Sequence, residues 1–121
     1  MTEKDSRIEH YYTLDPKRFS ILERFEVRQN HPVGEQPEIS LKIELSSPIE
    51  NEERKLLLSF LGVRGLSFTQ EASSLLQMTL ITIESIRRDG WEGLHYQARE
   101  EEEESLFLYC REFSASLEGG S

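Results

Sequence analysis

Three histidines, a single cysteine and a run of five glutamates are the residues here whose types could do chemistry. His10, His31 and His95 are far apart in the chain, and no two stand at the spacing a metal site uses. A zinc site needs three or four converging ligands, and Cys110 adds little to so dispersed a set. The glutamates at 100–104 lack the Asp/Asn-rich, glycine-bent loop that wraps a calcium ion. Nucleophilic catalysis would need Cys110 or a serine beside a base. Cys110 falls within a β-like run, on the face of Leu106 and Leu108, where a free cysteine usually behaves as a small hydrophobe. Carboxylate pairs are too abundant for any one to be distinctive, and glycine-rich phosphate loops are absent. The chain therefore reads as non-enzymatic, with no cofactor and no metal.

Charge says more. The 23 acidic and 14 basic residues give a formal net charge of −9. A phosphate backbone is repelled by such a surface, and no basic cluster is longer than a pair such as Arg87-Arg88, so direct nucleic-acid binding is disfavoured. An acidic excess instead suits fast association with a basic protein. The run Glu100, Glu101, Glu102, Glu103 and Glu104 has two readings. It is a solvated turn whose charge guards a sheet edge, or one wall of an electronegative docking surface joined by Glu50, Glu52 and Glu53. Adjacent like charges repel, so a basic partner would relieve a cost already present. Trp91 is either a core edge or, with His95 and Tyr96, an aromatic anchor of the kind enriched at interfaces. The candidate partner-binding residues are thus the five glutamates with Trp91 and His95. A small-ligand or carbohydrate-binding β domain is the alternative, stacking on Trp91, Tyr96 and Tyr109, although Trp91 and Tyr96 fall on opposite faces of one strand.

The elements that must position these residues are mostly strands. A chain of 121 residues suits one domain, expected over 1–117, with 118–121 as a flexible tail or linker. One unpaired cysteine fits a reducing compartment, and no apolar run is long enough for a leader or a membrane span. A soluble, cytoplasmic protein is the expectation. Residues 1–15 are polar apart from Ile8, Tyr11, Tyr12 and Leu14. Asp15-Pro16 is a turn or a helix start, and period two from Phe19 to Val27 predicts a strand, with a short helix at 16–23 as the alternative. The loop at 30–37 precedes the cleanest alternation, Ile39, Leu41, Ile43 and Leu45. After a turn at 47–53, residues 54–69 give one long or two short strands bent at Gly62 and Gly65. A loop at 70–76 leads to a strand at 78–86, placed centrally because both its faces are apolar. Asp89-Gly90 is a hairpin signal before a strand at 91–98. Leu106, Leu108 and Cys110 then oppose Phe107, Tyr109 and Phe113 in a closing strand. The expected fold is mainly β, an antiparallel sheet or sandwich of about six or seven strands holding a three-stranded meander, with a short N-terminal helix as an option. Open sheets have edges, so a homodimer through an edge strand, not yet assigned, is a further expectation.

Asp89-Gly-Trp-Glu-Gly-Leu-His-Tyr and Leu106-Phe-Leu-Tyr-Cys-Arg-Glu-Phe113, preceded by Leu58-Ser-Phe-Leu-Gly-Val-Arg-Gly-Leu-Ser-Phe68, carry a resemblance. Over about half the chain these segments are similar to small bacterial β-rich immunity proteins of polymorphic toxin systems and to related uncharacterised families. The resemblance implies a cytosolic antidote that binds and blocks a cognate toxin, for which a nuclease with a basic cleft fits the charge. A phage-encoded inhibitor of a host nuclease follows the same charge logic.

Overall fold

The computed structural model describes residues 5–30, 37–69, 78–86, 93–102 and 104–119. The expected loops at 30–37 and 70–76, for the most part, and the Asp89-Gly90 turn lie outside them, as do Trp91 and Glu103. Within them the fold is mainly β, as the alternation predicts. Eight strands form two antiparallel sheets: β1 Ile21–Asn30, β2 Glu38–Ser46, β3 Lys55–Leu61, β4 Arg64–Phe68, β5 Ile81–Ser85, β6 Tyr96–Glu100, β7 Leu106–Cys110 and β8 Glu112–Glu118. One sheet runs β1-β2-β3-β8 and the other β4-β7-β6-β5. The meander β5-β6-β7 is borne out.

Each sheet buries its apolar parity. Leu41, Ile43 and Leu45 on β2 sit opposite Phe60, Leu58 and Leu56 on β3, and all six are buried. The second sheet supplies Ile81, Ile83, Tyr96, Ala98, Leu106, Leu108 and Cys110 to the same core. On its outer side the alternate residues stand in cross-strand rows, Arg64–Tyr109–Gln97–Glu84 and Ser67–Phe107–Arg99–Thr82.

Two strands change sheets at one corner. The chain turns at Gly62 (φ +66°) between β3 and β4, and at Arg111 between β7 and β8. Arg111 N–H donates to the Leu61 carbonyl at 2.9 Å, and Val63 N–H to the Ile39 carbonyl at 2.9 Å. A Cβ on Gly62 would lie 2.9 Å from the Arg111 Cβ, so both the backbone conformation and the close approach require glycine. This corner corrects one expectation. Phe113 was placed opposite Cys110 by simple alternation, but the extra residue at Arg111 turns Phe113 and Ala115 inward again.

Three further departures have local causes. β5 is an edge strand rather than a central one, because a helix, not a strand, covers its open side. That helix, α1, spans Ser6–Thr13 and is capped by Asp5, whose carboxylate accepts from Arg7 N–H at 2.9 Å and Ile8 N–H at 3.2 Å. It gathers Ile8, Tyr11 and Tyr12 into one element. Where a helix at 16–23 was the alternative, there is a single 3-10 turn, Pro16–Arg18, and β1 follows. Glu118, assigned to the tail, pairs with Lys55 at the end of β8.

α1 is fastened to both sheets by three successive side chains. Tyr11 donates to the Ile81 carbonyl at 2.6 Å, and the Tyr12 hydroxyl accepts from Ile83 N–H at 3.2 Å. His10 Nε2 lies 3.2 Å from the Ala115 carbonyl. The free edges of β5 and β8 are thereby occupied by side chains.

Candidate functional site

The acidic run begins on a strand and ends in a turn. In β6 the inward parity of Tyr96 and Ala98 continues to Glu100, which is buried with 2% of its surface exposed. A carboxyl group inside a protein needs hydrogen-bond partners, and Glu100 accepts from Thr79 N–H at 3.2 Å and Ser105 N–H at 3.4 Å. It ties the turn to the approach to β5. The fold therefore holds the Glu100 carboxylate largely inside, at the base of the turn. Glu101, Glu102 and Glu104 are exposed. Glu101 N–H donates to the Leu80 carbonyl at 2.9 Å and Glu102 N–H meets Thr79 Oγ1 at 3.4 Å, so the backbone of these two residues is held while their side chains face solvent. Glu104 lies 3.6 Å from Arg99.

The turn at 47–54 has a neighbour in common with it. Glu52 receives Arg54 Nε at 2.9 Å and Arg18 Nη2 at 2.7 Å. Hydrogen bonds from Arg54, reinforced by the charges of Arg54 and Arg18, hold the Glu52 carboxyl down at about 2. Beside Arg18, Lys17 lines an open depression of about 640 Å³ with Ser20, Thr79, Glu101 and Glu102. The Pro16–Arg18 turn thus meets both acidic turns, through Arg18 on Glu52 on one side and through Lys17 beside Glu101 and Glu102 on the other; Glu50 and Glu53, near Glu52 in sequence, are exposed. Sequence reasoning grouped these glutamates but missed Lys17 and Arg18, whose signal was the basic pair following Asp15-Pro16.

His95 is elsewhere. It precedes β6, at the end opposite the acidic turn, and at about 3.4 Å per residue the strand holds the two roughly 17 Å apart. Its Nδ1 lies 3.0 Å from the Arg111 carbonyl, and its backbone bonds to Cys110 and Ile86. The fold thus does not bring His95 together with the glutamates. Tyr96, a candidate stacking platform, is buried and donates to Asp5 at 2.8 Å. Only Tyr109 of the described stacking candidates faces outward, edge-on to Phe107 at 5.1 Å between ring centres. Cys110 is wholly buried, and burial pushes its thiol up to about 12, which makes it a packing residue at neutral pH. Among the described residues no three His, Cys, Asp or Glu side chains converge as a metal site, and no helix is long and apolar enough to cross a membrane.

Fold and surface together define a small antiparallel β sandwich that presents exposed carboxylates from two turns around one 3-10 turn. The chain matches the family model Immunity protein PIM8 over residues 3–116, and it belongs to that family. The match takes in the N-terminal helix and all of the sheet framework up to β8, well beyond the segments that carry the resemblance in sequence. No curated protein and no solved structure matches the chain.

Proposed function

We propose that this protein is an antidote that binds a toxin and blocks it, and that the toxin presents a basic surface to the two acidic turns. The observation that carries this reading is that Pro16–Arg18 meets both acidic turns, Arg18 at the part-buried Glu52 and Lys17 beside the exposed Glu101 and Glu102, in a member of an immunity protein family. A nuclease is the toxin class that fits best, since a cleft built for a polyanion is lined with Lys and Arg. The inhibitor would occupy the track of the phosphates without any chemistry of its own. Its contact residues are Glu101, Glu102 and Glu104, with Glu50 and Glu53 beside them, and its place of action is the cytoplasm, where Cys110 stays reduced. Charges of this kind accelerate encounter and select the partner more than they add affinity.

The test is charge reversal of the triple Glu101→Lys, Glu102→Lys, Glu104→Lys against the cognate toxin. All three side chains are exposed, so the melting curve should hardly move. The association rate should drop by about tenfold or more at low salt, and the wild-type rate should fall steeply as salt is added. Binding that survives the reversal and ignores salt sinks the electrostatic account.

A further inference from the structure

Among the described residues the two sheets have four outer edges, and three of them are unsuited to pairing. Those of β5 and β8 are taken by Tyr11, Tyr12 and His10 of α1. β4 is only five residues long, its register shifts between Arg64 and Ser67, and Gly65 sits at φ +62°. Such irregularity blunts an edge. β1 is different. It is ten residues long and, among the described residues, has one ladder neighbour, β2; past a shift at Leu22/Arg24 its register runs unbroken to Asn30. Val27 lies on the core-facing parity, opposite Leu41, yet is 49% exposed.

The charges on this strand complement themselves. On its outer parity stand Arg24, Glu26 and Arg28, with Glu26 opposite Lys42 and Arg28 opposite Ser40 on β2. We propose that two copies of this chain pair antiparallel along residues 24–30 of β1, with Val27 opposite Val27 of the second copy. In that register Glu26 faces Arg28 of the second copy, twice over, and signs alternate along Lys42, Glu26 and the second copy's Arg28. On the other parity Leu41, Val27 and their two counterparts form one apolar row, which covers Val27. A register centred on Glu26 sets Glu26 against its own copy and Arg24 against Arg28, a like-charge arrangement that costs energy. One centred on Phe25 must cross the shift at Leu22/Arg24, and Phe25 is already stacked on Phe68 at 4.1 Å. The occupant is a second copy because the complementarity is between this strand and itself.

Sedimentation of the full chain from about 1 µM to about 1 mM tests the pairing. The expected result is a species of twice the 14.1 kDa chain mass that grows with concentration. Arg28→Glu sets like charges together at both pairs and should raise the dimer dissociation constant by about tenfold. The double swap Glu26→Arg, Arg28→Glu should restore it; because Arg28 also meets Glu26 of its own strand at 2.9 Å, an unchanged melting curve for Arg28→Glu is required to show that the single variant still folds. Val27→Cys should form a disulfide-linked dimer on mild oxidation, whereas Gln29→Cys, opposite Phe25 of the second copy, should not; Cys110 is buried and does not compete. A single-chain mass at every concentration, a swap that restores nothing, or crosslinking at position 29 equal to that at 27 overturns the proposal.

Discussion

The hydroxyl of Tyr11 donates to the main-chain carbonyl of Ile81 at 2.6 Å, from a side chain with no exposed surface. Burial, and secondarily the neighbouring Tyr12, raise its phenol above the ordinary tyrosine range, so it remains a donor at any physiological pH. A helix has replaced a neighbouring strand as the hydrogen-bonding partner of this sheet edge. Removing the hydroxyl alone leaves a buried carbonyl without its donor. Tyr11→Phe is expected to cost about 1–2 kcal/mol in urea unfolding, while Tyr12→Phe, at a half-exposed ring, should cost under about 1 kcal/mol. Equal losses at the two positions would contradict this account of the edge.

The glutamates divide into one structural residue and its exposed neighbours. Glu100→Ala strips the acceptor from Thr79 N–H and Ser105 N–H and should destabilise by about 1–3 kcal/mol. Glu101→Ala, on the exposed side of the same turn, should stay within about 0.5 kcal/mol of the parent. The pair of melting curves separates the fold's carboxylate from those offered to a partner.

Acid should act through Glu52. Its folded pKa of about 2 lies below the ordinary 4.5. As pH falls the unfolded chain therefore takes up the proton first. Its stabilisation is fully present above about pH 4.5 and is lost as pH drops towards 2. Glu52→Gln should remove that part of the acid dependence, so that the variant's urea midpoint trails the parent's at pH 7 and the gap narrows by pH 2. Parallel curves across this range would mean that the Arg54 and Arg18 contacts do not persist in solution.

Much of the scaffold was legible because its strands alternate cleanly. Leu41, Ile43 and Leu45 needed only period two, and Gly62 marked the bend between β3 and β4. Features fixed by contacts between distant segments were not legible. The apolar faces of β5 suggested a central strand because nothing local shows that a tyrosine-bearing helix covers its side. One extra residue at Arg111 moved Phe113 to the face opposite the expected one. In the acidic run, five identical letters concealed that the inward parity of Tyr96 and Ala98 carries on to Glu100. The separation of His95 from the glutamates follows from strand length, since residues close in sequence stand at opposite ends of an extended segment. The salt-bridged step between the acidic turns depends on Arg18 meeting Glu52, a contact that neither segment announces.

The corner at Gly62 and Arg111 also bears on how the chain is made. Because β7 crosses there into β8, the sheet begun by β1, β2 and β3 gains its fourth strand only after the other sheet has been laid down. A ribosome releasing this chain exposes the bare flank of Leu56, Leu58 and Phe60 until Phe113 and Ala115 emerge to cover it. Completion of that sheet therefore waits on a long-range closure, and a protein truncated before β8 would leave the ribosome with a sticky, unfinished face.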